Sequence, residues 1–446
     1  MRISKRHTKS GLGAALAILA VVYGCSQGDN PVDPARPTPG VAGTQILGFP
    51  VLANNPWNDP TGRVLSVAFA SDASLNVPQQ PFPVLYLLHD FDGDAKYFEQ
   101  YNLQGILEDL YRNGEIGRMM VVTVDAGNFF KGSYYRNSAA SGQYADLVGS
   151  VIAHVERTFR VYTQGGRSAR AIAGHGMGGF GAMRFAMDRP DLFGSVSSMS
   201  GPLSLGGADG NSGVFTWIDS VFAENNVTTG NDSAYLQIFP SWDRKYTRRL
   251  IAMAIAFSPH ALEQLVLPPP HDTCWVCKRP LGLCDGPWQY EPCAPCSSFT
   301  RFDAYSTTIK IATLEKKRTC VDTSIFVNPK PLGVDLPFDS RREKIAAVWP
   351  LWQSQDIKSC FVANPHIFDS TAVYFDCGVD DDEREWGYIS QNRDFNTAMA
   401  GTPHVYEEYQ GFGGVPAGHS QFLQERLREI IKFHDKQFKH APGPPR

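Results

Sequence analysis

The sequence lacks an apolar run long enough to span a bilayer as a helix, and it lacks a basic patch that would suit nucleic acid. Its amino-terminal apolar run, Leu12 to Tyr23 broken only by Gly13, is about a dozen residues, short of the roughly 20 a spanning helix needs. Basic residues are not in excess. The formal net charge is -4 and no basic patch is visible, which argues against a nucleic-acid role. No internal repeat stands out. The roughly 400 residues after the amino-terminal segment can bury a sizeable core as one large domain or two small ones. The most telling absence is a hydroxyl. Arg170 to Ala182 reads RAIAGHGMGGFGA, an apolar strand breaking into glycines ahead of a helix, and the centre of that turn is Gly176.

The first 24 residues carry Arg2, Lys5, Arg6 and Lys9 and no acidic residue, which suits a secretory signal. The apolar run ends Val22-Tyr23-Gly24-Cys25. This resembles the lipobox of bacterial lipoproteins, although Tyr23 is bulkier than the usual residue there. The resemblance implies cleavage before Cys25 and acylation of that cysteine; an ordinary signal peptide is the alternative. Residues 25–44 are proline- and glycine-rich after Cys25 and read as an extended tether. Ser26 offers no aspartate-type retention signal. An exported chain is expected, lipid-anchored in a bacterial cell envelope (at the outer membrane where one exists) or secreted. Removing the signal takes away four positive charges, moving the net charge from -4 to -8.

Hydrophobic periodicity predicts strands at Val64 to Ala70, Val84 to Leu88, Met119 to Val124, Ala169 to Ala173 and Phe193 to Met199. Helices are expected over Tyr97 to Arg112, Ala145 to Phe159 and Met177 to Met187, the last stopped by Pro190. Strand and helix alternate, which predicts an α/β fold with a mostly parallel sheet covered on both faces. The alternation fails from Gly206 to about Asn328, apart from a plausible helix at Tyr246 to Phe257. It resumes with a helix near Arg341 to Val348, a strand at Ala372 to Phe375, a helix at Glu383 to Met399, a strand at Val405 to Tyr409 and a final helix from Ser420 to Phe438. One domain over 45–438, with a large Cys-rich insertion at 206–328 and a tail at 439–446, is the expected organisation.

A nucleophile elbow, G-x-S-x-G, holds its central side chain above a sheet on a tight strand-to-helix turn. Gly174, Gly178 and Gly179 supply the small neighbours that turn needs. Gly176 tolerates its backbone angles but cannot supply the attacking oxygen. The other parts follow in the order acid, then histidine. Asp380 and, as a second choice, Asp376 lie just past a buried strand, and His419 precedes the last helix. Asp380 could orient the imidazole of His419 toward the elbow.

Together these pieces resemble the esterase family of α/β-hydrolases that includes esterase D, the feruloyl esterases and the mycolyltransferases. The matching segments are Pro83 to Asp94, Ala173 to Gly179, Asp376-Cys377-Gly378 with Asp380, and Gly418-His419-Ser420. The resemblance implies a three-layer sandwich and assigns the nucleophile to position 176, the acid to Asp380 and the base to His419. It places an oxyanion hole at the backbone N–H of Met177 and one near Phe91. Two departures stand out: Gly176 itself, and Asp90, where relatives usually have glycine. Asp90 would put a carboxylate beside the oxyanion loop.

Other motifs carry less. Gly174-x-Gly176-x-x-Gly179 matches a dinucleotide fingerprint, but the next strand ends Ser197-Ser198-Met199-Ser200 without the acidic residue that would hold a ribose. Cys274, Cys277, Cys284, Cys293, Cys296, Cys320, Cys360 and Cys377 form an even set, which suggests disulfides in an oxidising compartment. Zinc on Cys274, Cys277, Cys293 and Cys296 is the alternative. Trp275, Trp288 and Tyr290 in the same block could bind sugars or aryl groups, or form its own small core. No cofactor is expected. The sequence therefore predicts a carboxylic ester hydrolase homologue, acting on small-molecule or carbohydrate-linked esters, with covalent activity absent or strongly reduced. A water held by His419 could give residual hydrolysis. The alternative is a non-catalytic envelope protein recognising carbohydrate or aryl groups.

Overall fold

The computed structural model describes residues 81–259 and 334–439 apart from short breaks at 129, 139–140, 160, 208–212, 236–237, 239–242 and 382–385. It also gives the backbone of five outlying strands at 43–49, 63–69, 273–277, 288–292 and 319–320. Residues 1–42, with the expected signal segment, Cys25 and all of the expected tether except 43–44, lie outside the described residues, as do residues 440–446. So do the side chains of the six cysteines from Cys274 to Cys320 and of Trp275, Trp288 and Tyr290.

Eight strands build the central sheet: β1 Gly43–Phe49, β2 Arg63–Phe69, β3 Val84–Leu88, β4 Met120–Val124, β5 Arg170–His175, β6 Ser195–Met199, β7 Ala372–Gly378 and β8 Val405–Tyr409. Their order is β1-β2-β4-β3-β5-β6-β7-β8. The six strands from β4 to β8 run parallel. β2 joins them antiparallel to β4, and β1 pairs antiparallel with β2. The expected mostly parallel sheet is present. β3 shows why a continuous apolar run gives a central strand. Val84, Tyr86 and Leu88 enter one core and Leu85 and Leu87 the other, so the two-residue period feeds both faces.

Helices α1 Leu103–Arg112 and α6 Leu423–Gln437 cover one face. Helices α2 Tyr144–Thr158, α3 Met177–Asp188, α4 Lys245–Phe257 and α5 Tyr388–Ala398 cover the other. In α6, Leu423, Leu427, Ile430 and Ile431 recur at helical spacing and are buried. Burying four such side chains contributes roughly 6–12 kcal/mol before the entropy of ordering is subtracted. That anchors α6 and the loop ahead of it.

Several expectations change. Arg341 to Val348 is not a helix. Asp339 accepts from the backbone of Arg341 and Glu343, a bridge joins Phe338 to Lys344, and Arg342 takes a φ of 70°. Pro350 opens a short helix, Trp349–Gln353, in the first-turn position where a missing N–H costs nothing. α4, inside the stretch read as an insertion, packs into the same core as the sheet. Within the Cys-rich block the backbone forms a small antiparallel sheet of Thr273–Cys277, Trp288–Pro292 and Thr319–Cys320. Cys360 and Cys377 are free thiols, so the disulfide expectation does not extend to them. Cys377 is buried on β7, and the half-buried Cys360 sulfur accepts from Arg184 at 2.6 Å.

The chain leaves β3 toward β4 on one side and returns as β5 on the other. Ligand sites of open α/β sheets form at such a reversal, beyond the strands' carboxyl ends. Leu88 pairs with Gly174 across β3 and β5, so His89-Asp90 and His175-Gly176 emerge as neighbours.

Candidate active site

The turn between β5 and α3 keeps the shape of a nucleophile elbow without its side chain. Gly176 has φ 51° and ψ -114°, a region that favours glycine. Its N–H donates to the Met199 carbonyl at 2.8 Å and its carbonyl accepts from Phe180 N–H at 3.1 Å. The flanking glycines let helix and strand meet. A Cβ on Gly178 would overlap the Leu88 carbonyl, and one on Gly174 would overlap the backbone of Gly178.

A Cβ on Gly176 would collide with something else: the carboxylate of Asp90. Asp90 follows β3, is 4% exposed, and its carboxylate fills the space a side chain at position 176 would need. Its Oδ1 accepts the Met177 N–H at 2.7 Å. Its Oδ2 accepts from His419 Nε2 at 2.9 Å and from Arg249 Nη2 at 3.3 Å. The expected oxyanion donor of Met177 is therefore engaged by the chain's own carboxylate. Phe91, the other expected contributor, packs its ring against Arg249, 4.9 Å from the guanidinium carbon to the ring centre.

His419 lies between two carboxylates. Its Nδ1 bonds Asp381 Oδ2 at 2.9 Å. Its ring stacks on His175 at 4.5 Å and meets Tyr388 edge-on at 5.3 Å. The carboxylate that touches the imidazole is Asp381 and not Asp380, the first sequence choice, nor Asp376, the second. Asp380 instead accepts the Ala417 N–H at 2.7 Å, while its own N–H donates to the Ala417 carbonyl at 3.0 Å, which fixes the loop leading to His419. Asp376 is buried against Arg426. Arg426 Nη1 donates to the His419 carbonyl at 3.0 Å. In the run Val379-Asp380-Asp381-Asp382, three successive carboxylates fit the motif equally well, and only the turn after β7 decides which faces inward.

The electrostatics follow from these contacts. Burial alone would push the His419 imidazole down, but Asp381 and Asp90 outweigh it and raise its pKa to about 8. At neutral pH both ring nitrogens therefore carry protons and both donate. Burial pulls Asp90 upward, yet Arg249 and then His419 hold it well below the usual carboxylate range. His175 is depressed well below the ordinary histidine value, first by burial and then by the positive His419. It stays neutral between the Tyr97 hydroxyl, 2.8 Å from Nδ1, and the His419 carbonyl, 2.9 Å from Nε2.

Arg249 was not legible as a site residue. It closes the polar first turn and a half of α4, just ahead of the apolar run from Leu250 to Phe257, and is 3% exposed. Its Nη1 donates to the Tyr388 hydroxyl at 2.8 Å and its guanidinium lies 3.9 Å from the Trp386 ring centre. A buried carboxylate at position 90 demanded a cation, but nothing in sequence says which of Lys245, Arg248 and Arg249 answers. Asp90, His175 and His419 offer potential metal-ligand atoms within 4.8 Å of one another. Their nitrogens and oxygens are already committed to the contacts above, and Arg249 and protonated His419 supply the positive charge that a metal would bring.

Comparison with known proteins identifies the family. The family described as Putative esterase matches residues 66–425, most of the chain. The chain belongs to this esterase family. Esterase Rv1288 of Mycobacterium tuberculosis is 31% identical over 129 residues, which is 28% of this chain and 26% of that protein. The match thus spans about a quarter of the curated relative's length. Among solved structures, a ferulic acid esterase aligns at 16% identity over 89% of this chain and 99% of its own, with a TM-score of 0.48. An S-formylglutathione hydrolase from Agrobacterium tumefaciens aligns at 12% identity over 90% of this chain and 97% of its own, with a TM-score of 0.46. This esterase-family chain carries an Asp90–His419–Asp381 array where the family resemblance called for a serine, a histidine and an acid.

Proposed function

We propose that this esterase-family protein is a carboxylic ester hydrolase homologue closed to serine-type acyl transfer. The observation that carries this reading is the Asp90 carboxylate, which fills the side-chain space of position 176 and takes the Met177 N–H. Three requirements of the chemistry fail together. No hydroxyl is present to attack. The Met177 donor that would stabilise the tetrahedral oxyanion already faces a negative charge. His419, raised to about 8 between two carboxylates, is mostly protonated at neutral pH and so a poor proton acceptor.

Loss of a nucleophile alone lowers turnover about a million-fold in a serine protease, leaving about 10³–10⁴ over water from the rest of the site. Here the rest of the site is occupied as well. Restoring serine alone should therefore fail, because Gly176→Ser would press its Cβ into Asp90. The test is hydrolysis of a short-chain aryl ester by the unaltered chain, by Gly176→Ser, and by Asp90→Gly combined with Gly176→Ser. The first two are expected to show no saturable turnover. The double variant is expected to gain about 10³-fold or more and to lose that gain when His419→Ala is added. Saturable turnover by the unaltered chain would overturn the reading.

Export and lipid anchoring through Cys25 form part of the same proposal, resting on the basic, apolar and Gly24-Cys25 segments. Cys25→Ser is expected to release the protein from the membrane fraction of a bacterial host. Continued membrane retention of that variant counts against the anchor.

A further inference from the structure

Asp90 satisfies its cradle incompletely. An arginine usually meets a carboxylate through two parallel N–H groups. Arg249 reaches Asp90 with Nη2 alone, at 3.3 Å. Its Nε is buried and has no hydrogen-bond partner among the described residues. The backbone explains the mismatch. Asp90 is tethered at the end of β3, and its carbonyl accepts the Gly93 N–H at 3.0 Å in a turn. Its short side chain cannot rotate to face the guanidinium while still reaching Met177 and His419.

The charges give the same message. Arg249 and protonated His419 are positive, Asp90 and Asp381 negative, and all four are buried. Take away Asp90 and the Arg249 cation loses its carboxylate, leaving a gap ringed by the Met177 N–H, His419 Nε2 and two N–H groups of Arg249. A carboxylate free of the backbone could meet both sides of that ring. Phe91 and Trp386 stack against the same guanidinium and Tyr388 bonds it, giving apolar and aromatic surface for a tail.

We propose that these donors form a binding site for a monocarboxylic acid, the acid half of an ester, and that Asp90 is a built-in occupant holding it shut. The inference rests on the self-occupied cleft of the preceding reading and assigns its ligand class and its regulation. In the unaltered chain an external acid must displace an ionised, hydrogen-bonded carboxylate from a site whose charges already balance. With Asp90 withdrawn, the acid neutralises a buried positive charge.

The experiment is calorimetric titration of the full chain with benzoate at a pH below the ordinary histidine value of about 6.5, with benzamide as the uncharged control. Asp90→Ala is expected to bind benzoate about tenfold tighter or more than the unaltered chain, the order expected for opening one charged hydrogen-bonding partner. Benzamide should not bind, and adding Arg249→Met to Asp90→Ala should abolish the gain. Asp90→Asn is the second variant, since it keeps the volume and removes the charge; benzoate should bind it better than the unaltered chain and raise its unfolding temperature. Equal benzoate affinity in the unaltered chain and both variants overturns the proposal. If Asp90→Ala does not fold, the same null result with Asp90→Asn alone overturns it. Ester turnover by the unaltered chain would remove the preceding reading yet leave benzoate capture standing. Absent capture would remove this proposal and leave the former intact.

Discussion

Two buried histidines with opposite charge states set how this protein responds to pH. His419 is raised to about 8 against an ordinary 6.5, since Asp381 and Asp90 outweigh its burial. The folded state therefore holds a proton that the unfolded chain releases earlier. Its contribution is complete below about pH 6.5 and fades as pH rises through about 8. His434 is the reverse case. Buried between the hydroxyls of Ser195, 2.8 Å from Nδ1, and Ser197, 2.9 Å from Nε2, it is pushed down to about 3 by desolvation. Its contribution is complete above about pH 6.5 and is lost as pH falls toward 3, because the unfolded chain binds the proton first. His175 steepens the same acid limb. Chemical denaturation from about pH 4 to about pH 9 is expected to give a dome that falls on both sides. His434→Gln should flatten the acid limb and leave the alkaline one in place. An acid limb unchanged by that substitution would show that His434 is not its source.

Elements are tied into the site by one arginine. From α6, Arg426 reaches Asp376 on β7, the Tyr409 hydroxyl on β8, the Ser200 hydroxyl and the His419 carbonyl. Arg426→Met leaves Asp376 as an uncompensated buried charge and is expected to cost about 3–5 kcal/mol in denaturant unfolding. Adding Asp376→Leu should recover part of that loss, because a well-packed apolar pair can replace a buried ion pair. An additive double variant would show that the two side chains act separately. At the elbow, Gly178→Ala pushes a methyl into the Leu88 carbonyl, and the overpacking is expected to cost about 1–3 kcal/mol or more. Elements of this kind were readable wherever a period repeats. β3 and β4 stand within a residue of their expected limits because their short, fully buried apolar runs are bounded by turns on both sides. The region at 341–348 was not readable, because a turn closed by Asp339 and Lys344 leaves no periodic trace.

Across the whole molecule, the site gathers residues from five separated parts of the chain: Asp90, Met177, Arg249, Asp381 and His419. The bond between Asp90 and His419 joins positions 329 apart. The sequence showed the elbow and His419 because each sits in a local setting with its own signature, glycines around a turn or a histidine ahead of the last helix. It raised the oddity of Asp90 but not its destination, since only three-dimensional proximity shows that a carboxylate from one strand end fills the gap left at the next. Asp381 and Arg249 had no local signature at all. One was hidden among neighbouring aspartates and the other on a buried helix face.

The space that Gly176 cedes to Asp90 has an outcome beyond catalysis. The cleft has two self-consistent fillings: a hydroxyl at 176 with a small residue at 90, or a carboxylate at 90 with nothing at 176. Of the two single exchanges open to this chain, adding the hydroxyl first collides with Asp90, whereas shrinking position 90 first does not. The order of substitution is thus constrained: position 90 has to shrink before position 176 can carry a side chain.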